Sequence, residues 1–219
     1  MVEAAEFWDN MADRYAKSPI GDMPAYTYTL DRTRSYLSKS DHVLELGCGT
    51  GSTALLLAEN AGKITASDVS QNMIRIGQKK AQDQGITNVG FVAADLFDPA
   101  LDKGSYDAIL ALNLLHLLPG VPQALARIHS RLKPGGLFIS KTFCRPTPGA
   151  EWNRRLMIYY MMRVVLPVMQ FIGKAPLVSF MTIEQLEGRI TAAGFDIIET
   201  GNYPANPPNR YIVARKASG

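Results

Sequence analysis

A chain of 219 residues, 47% hydrophobic and 20% charged, is long enough for one full hydrophobic core and short for two, so residues 1–219 read as a single soluble domain. The formal charge of +3 includes no run of lysines or arginines, which argues against a nucleic-acid partner. Two cysteines, Cys48 and Cys144, give no disulfide framework, and the N-terminus has no basic start, apolar core or cleavage site of a secretion signal, so a cytoplasmic location is expected.

From the N-terminus, Glu3 to Tyr15 places Phe7, Met11 and Tyr15 on one helical face with Trp8 beside them. Val43 to Leu46 is a short apolar run of the kind buried in a parallel sheet, and Ser52 to Asn60 has helical composition. Between them Gly47, Gly49 and Gly51 alternate with Cys48 and Thr50, so a ligand can approach the main chain closely and meet free amides where the helix begins. A glycine turn also serves as an ordinary strand-to-helix connection, so alone it is a weak signal. Its spacing is more informative. A dinucleotide turn wants G-x-G-x-x-G, but here the third glycine comes two residues after the second and position 52 is serine. Glu45, an acid inside the strand before the turn, is a second departure.

Lys63 to Val69 reads as a second strand bearing Asp68, seventeen residues past Gly51, and an ionised carboxylate can accept from two vicinal hydroxyls at once. Tyr106 to Leu112 reads as another strand. Alternation of apolar strands and helices from 42 to 142 predicts a doubly wound parallel α/β sheet. Met157 to Ile172 is nearly continuously apolar but holds only sixteen residues, with Arg163 and Pro167 inside, so it does not span a bilayer. Something must cover it: the domain, a second subunit, a lipid surface or a substrate. Thr182 then caps a helix that Gly194 stops, and Phe195–Thr200 and Arg210–Ala214 read as two strands joined through three prolines, hence antiparallel.

The run Glu45-Leu46-Gly47-Cys48-Gly49-Thr50-Gly51 resembles motif I of the class I S-adenosylmethionine-dependent methyltransferases, and the resemblance continues in order over roughly residues 40 to 142 and again at 182 to 216. Asp68 stands where the family's acid holds both ribose hydroxyls. Ser70 to Ala81 resembles the next helix, with Met73 where an apolar side chain packs on adenine, and Phe91 to Phe97 resembles the third strand, with Asp95 facing the adenine amino group. Leu132 to Ile139 matches the turn and fifth strand, where Gly135-Gly136 makes a reversal. The phrase Phe7-Trp8-Asp9-x-x-Ala12-x-x-Tyr15 is similar to the N-terminal helix of methyltransferases related to quinone-biosynthesis enzymes, which lies over the cofactor.

The resemblance implies a seven-stranded, mostly parallel Rossmann-like sheet whose last strand is antiparallel, an N-terminal helical lid at 1–37 and an apolar cap insertion at 145–181. It implies S-adenosyl-L-methionine as cofactor, held by Tyr15, Glu45, Gly47, Cys48, Gly49, Gly51, Asp68, Val69, Met73, Asp95, Leu96 and Asn113, and S-adenosyl-L-homocysteine as product. His116, just after the fourth strand where such sheets open toward ligand, is the candidate general base, although Leu-Leu-His-Leu-Leu is also a good packing sequence. Several acceptors are disfavoured. The Asn/Asp-Pro-Pro-Tyr/Phe signature for amine nitrogen is absent after the fourth strand, no cysteine stands where a covalent pyrimidine nucleophile would, and no clustered acids offer a metal site. The expectation is methyl transfer to oxygen or carbon of a small, hydrophobic acceptor. A nicotinamide oxidoreductase and a non-catalytic cofactor-binding protein are the alternatives. The apolar cap leaves a homodimer or peripheral contact with a membrane as partners.

Overall fold

The computed structural model describes residues 4–102, 104–147, 149, 151–171, 175 and 177–217. Glu3 at the start of the first expected helix, and Ile172 at the end of the apolar run, lie outside the described residues.

Two helices, α1 (Ala4–Lys17) and α2 (Met23–Ser35), precede an alternation of β1 (His42–Leu46), α3 (Ser52–Leu57), β2 (Lys63–Asp68), α4 (Gln71–Asp83), β3 (Val89–Ala93), β4 (Tyr106–Leu112), α5 (Val121–Arg131) and β5 (Leu132–Phe143). Then come α6 (Arg154–Phe171), α7 (Ile183–Ala192), β6 (Phe195–Asn202) and β7 (Asn209–Lys216). The strands form one seven-stranded sheet in the order β3-β2-β1-β4-β5-β7-β6. All neighbours from β3 to β5 pair parallel, and β7 inserts antiparallel between β5 and β6. A dinucleotide-type double winding runs 3-2-1-4-5-6, so the inserted antiparallel strand sets this sheet apart.

The apolar strand runs follow from burial on both faces. Successive side chains point to opposite sides: Leu44, Ile109, Phe138 and Ile212 pack with Leu125 and Ile128 of α5 and Leu186 and Ile190 of α7, while Val43, Ile64, Leu110 and Val213 pack with Leu55 and Leu57 of α3 and Ile74 of α4. Burying such a side chain contributes roughly 1.5–3 kcal/mol, which is why the buried strand positions carry almost no charge. The buried charged exceptions, Glu45 and Lys141, belong to the site described below. At the other end of the sheet Gly135 adopts φ +73 where the β4–β5 register shifts, consistent with the expected reversal. Thr182 makes a complete capping box with Gln185, and Gly194 ends α7 at φ +89.

Both N-terminal helices are held by polar contacts more than by burial. In α1 only Ala12 is buried, yet Asp9 accepts from the Ser70 hydroxyl at 2.6 Å and the Asn72 amide at 2.9 Å, which ties α1 to the start of α4. The buried face of α2 is Thr29, Leu30 and Thr33. Arg32 and Tyr36 hold Glu199 on β6, and Thr33 meets the Tyr211 hydroxyl at 3.2 Å.

The insertion after β5 forms the 18-residue helix α6, which buries Leu156, Tyr159 and Leu166 and turns Val164 (75% exposed) and Phe171 (92% exposed) outward. Arg155 at its start pairs with Asp22 at 2.6 Å, beside the loop joining α1 to α2. Among the described residues no helix is long and apolar enough to cross a membrane.

Candidate functional site

The turn from β1 to α3 is left-handed at each glycine: Gly47, Gly49 and Gly51 have φ of +63, +53 and +72. Gly51 is also required by space, because a Cβ there would stand 2.4 Å from the Phe91 ring. The same ring fills the groove over Gly77 of α4, where a Cβ would lie at 2.5 Å. Phe91 is thus wedged between the turn and the next helix. Lys80 closes the arrangement from α4 by donating to the Thr50 hydroxyl at 2.9 Å and the Ser52 hydroxyl at 3.0 Å. The Cys48 amide donates to Ser67 of β2 at 2.9 Å. Its thiol is held protonated by burial, and the charges of Glu45 and Asp68 add to that.

Two carboxyl groups flank the turn in different environments. Asp68, at the end of β2, accepts from the Gly49 amide through Oδ2 and from the Ser70 amide through Oδ1, both at 2.9 Å. Burial raises its carboxyl and the two amides oppose that shift. Glu45 is 3% exposed and its Oε2 has no hydrogen-bond partner. Burial pushes its carboxyl up to about 8, against a hydrogen bond donated by the Ala54 amide. Tyr15 of α1 lies across the turn, its Cε1 3.5 Å from where a Cβ on Gly49 would be, and burial followed by the charges of Asp68 and Glu45 raises its phenol.

The shift on Glu45 has a consequence for stability. Between its ordinary value of 4.5 and about 8 the folded chain keeps a proton that the unfolded chain has released, so this group's contribution falls as pH rises through that window and levels off above it. Glu45→Gln is therefore expected to gain in melting temperature on the wild type as pH rises from about 5 to about 8. Parallel melting curves across that range would remove Glu45 as a buried neutral acid.

A cavity of about 360 Å³ opens beside the turn. Its walls come from residues of α1, α2 and the loop between them, from the turn itself, and from Leu112, Asn113 and Lys141 at the ends of β4 and β5. Asn113 adopts φ +59, donates its amide to the Lys141 carbonyl at 2.7 Å, and accepts from Asn209 at 2.9 Å. Of the residues read from the sequence, the cavity gathers Tyr15, Glu45, Gly47, Cys48 and Asn113, while Asp68 joins the turn through Gly49. Val69 and Met73 lie at the start of α4, outside the lining, with Met73 2% exposed in the core. Asp95 and Leu96 lie just beyond the end of β3 at Ala93: pairing with β2 ends at Asp68–Ala93, and Asp95 turns back to accept from the Phe97 amide. Among the described residues, none from 145–181 lines the cavity, whereas many from the N-terminal segment do.

His116 does not reach this cavity. It sits in a single turn of 3₁₀ helix (Leu115–Leu117), its carbonyl accepting from Ser179 at 2.6 Å and its ring 6.4 Å from Phe143, which in turn packs on Tyr159 and Phe180. Desolvation lowers its pKa to about 4, and Nδ1 has no partner. The expected outcome for His116→Leu is unchanged cofactor affinity and turnover within about threefold, the mutation replacing one packed side chain by another. A loss of turnover above about 100-fold, the range of a missing general base, would restore it as a catalytic residue.

Gly77, Lys80 and Lys141 were not singled out from the sequence, and Asp9 was named only within the phrase of the N-terminal helix. Lys141 had a signal, a charge interrupting the apolar run Leu137–Phe143. Gly77 and Lys80 had none, because their partners lie in other elements.

Residues 43–136 match a methyltransferase domain family model. Over 104 residues the chain is 33% identical to the sterol 4-C-methyltransferase strm-1 of Caenorhabditis elegans, covering 47% of this chain and 31% of that protein. It is 26% identical over 138 residues to a demethylmenaquinone methyltransferase of Geobacillus kaustophilus, covering 62% and 58%. The chain thus spans less than two thirds of either relative's length. In fold it is similar to magnesium protoporphyrin IX methyltransferase of Synechocystis PCC 6803, crystallised with S-adenosylhomocysteine, at a TM-score of 0.69 and 18% identity over 97% of this chain and 98% of that one. The [4+2]-cyclase SpnF is similar at the same TM-score of 0.69, with 20% identity over 88% and 81% of the two chains. The residues present fit S-adenosylmethionine: a left-handed turn that admits a ligand to the main chain, an acid at the end of β2, and an orphaned buried carboxyl oxygen on Glu45 able to take an ammonium. The matched domain, the sheet order and this site together support a class I S-adenosylmethionine-dependent methyltransferase.

Proposed function

We propose that this protein transfers a methyl group from S-adenosylmethionine to a small, largely hydrophobic acceptor, at oxygen or carbon. The observation that carries the reading is the meeting of the glycine turn, Glu45 and Asn113 at the wall of one cavity beneath the N-terminal lid. In this reading Asp68 takes the ribose hydroxyls, Gly47 to Gly51 let the ligand lie on the main chain, and Glu45, Asn113 and Tyr15 hold the amino-acid end. Val69 just past β2, Met73 in the first turn of α4, and Asp95 and Leu96 just past β3 are assigned to the adenine side.

The bound cofactor supplies a methyl carbon already activated by the sulfonium charge. The chain has only to orient its acceptor and exclude water. Exclusion falls to α1 and the loop after it: Tyr15 crosses the turn, and Ser18 to Gly21 line the cavity mouth. Ile20, Leu30 and Leu112 give the cavity its apolar share. The acceptors for which the two relatives are named, a sterol and demethylmenaquinone, are both hydrophobic. The cyclase with the same fold shows why the activity needs its own test. Quinol, phenol and lipid-like acceptors should be screened for conversion of S-adenosylmethionine to S-adenosylhomocysteine. A methylated product is expected from an apolar acceptor; cofactor binding without turnover across the set would favour the non-catalytic alternative.

A further inference from the structure

Lys141 lies within β5, paired in register with Leu112, and is only 7% exposed. A buried ammonium is unfavourable without a counter-charge. Its Nζ has two weak acceptors, the Thr29 hydroxyl at 3.2 Å and the Ala25 carbonyl at 3.5 Å. Among the described residues no carboxylate lies within ion-pair distance of it, and Asp22, the carboxylate that acts on it through space, is already held by Arg155 and the Ala25 amide. Desolvation accordingly lowers the Lys141 pKa.

The lysine also lines the cavity, together with the hydroxyl-bearing Tyr26, Thr29, Thr33 and Thr53. The Tyr26 and Thr53 hydroxyls meet each other at 3.4 Å, whereas Thr29 and Thr33 donate to backbone carbonyls of α2. This polar wall is displaced from the glycine turn. Strand β1, which leads into the turn, pairs with β4, and β4 pairs with β5, so Lys141 stands two strand spacings, about 10 Å, to the side of it. That offset sets Lys141 to the side of the glycine turn, with Asn113 between them, its amide donating to the Lys141 carbonyl.

We propose that Lys141 is the anion-recognising residue of the acceptor subsite, so that the acceptor carries an ionised oxygen, a carboxylate or a phenolate, on an otherwise apolar frame. The proposal rests on the methyl-transfer reading and narrows its substrate class. Lys141 supplies the counter-charge, and Tyr26 and Thr53 supply neutral donors beside it.

The test is calorimetric, on protein saturated with S-adenosylhomocysteine, using 4-hydroxybenzoate and its uncharged analogue 4-hydroxybenzamide as probes. Wild type is expected to bind the acid at least tenfold more tightly than the amide. Lys141→Met should lose that preference, Lys141→Arg should keep most of it, and S-adenosylhomocysteine affinity should stay within twofold in all three. No preference in the wild type, or a preference retained in Lys141→Met, overturns the proposal. A tenfold loss of S-adenosylhomocysteine affinity in Lys141→Met also overturns it, because the lysine would then serve the cofactor's own carboxylate. Should Lys141→Met fail to fold, the wild type and Lys141→Arg still decide the matter. If wild type binds no S-adenosylhomocysteine, it is the methyl-transfer reading that fails, whatever the probes do.

Discussion

Replacing Asp68 with alanine is expected to weaken S-adenosylhomocysteine binding by at least about 100-fold, because hydrogen bonds to a charged group are worth roughly 1.5–3 kcal/mol each and the proposed ribose contact uses two. The loss has a second source inside the protein. Asp68 accepts from Gly49 and Ser70, so its carboxylate also pins the middle of the turn and the start of α4. Asp68→Asn should fall between the two, since an amide keeps one acceptor but brings a donor toward an amide that already donates. Calorimetry on both variants checks this, and affinity for Asp68→Ala within threefold of wild type would remove Asp68 from the site.

The second large effect is on stability. Gly51→Ala is expected to cost about 2–5 kcal/mol: roughly 1–2 for a side chain at φ +72 and the rest for a Cβ driven into the Phe91 ring. For a chain of this size that lowers the melting temperature by several degrees or more. Pairing it with Phe91→Leu should return part of the packing cost and none of the backbone cost, which a double-mutant cycle separates. Gly49→Ala is the contrast, since its Cβ would meet Tyr15 only at an ordinary 3.5 Å and the cost there is the backbone's alone. Equal destabilisation by the two substitutions would dismiss the Phe91 wedge.

These two predictions rest on parts of the molecule that were legible in the sequence to different degrees. The strand Val43–Leu46, the alternate glycines and the strand Tyr106–Leu112 were readable because each is a local pattern, a buried run or a turn, that needs no distant partner. The Thr182 cap and Gly194 stop were readable for the same reason. Helix α2 was not. Its buried face is built from threonines, and Arg32 is anchored on Glu199, 167 residues away. The wedge of Phe91 between Gly51 and Gly77 joins three elements and leaves no periodic trace.

At the site, the cavity gathers Tyr15, Glu45, Gly47, Cys48 and Asn113, whereas His116 lies away from it. Leu118-Pro119-Gly120 follows it, and the proline disfavours helical geometry in the residue before it, so the leucine-rich run makes one 3₁₀ turn and packs toward Phe143. The apolar insertion attracted attention by composition, yet its described residues add nothing to the cavity lining, while the N-terminal segment, fastened by Asp9 to the cap of α4, forms much of it. An acid in an amphipathic helix looks like a solvated residue until its partner is known.

That this turn holds S-adenosylmethionine, and not a nicotinamide dinucleotide, is tested most directly by titrating the wild-type protein in a calorimeter with S-adenosylhomocysteine and, separately, with NAD. Saturable one-to-one binding of S-adenosylhomocysteine with no heat from NAD is the predicted result. Saturable binding of NAD with none of S-adenosylhomocysteine would contradict it.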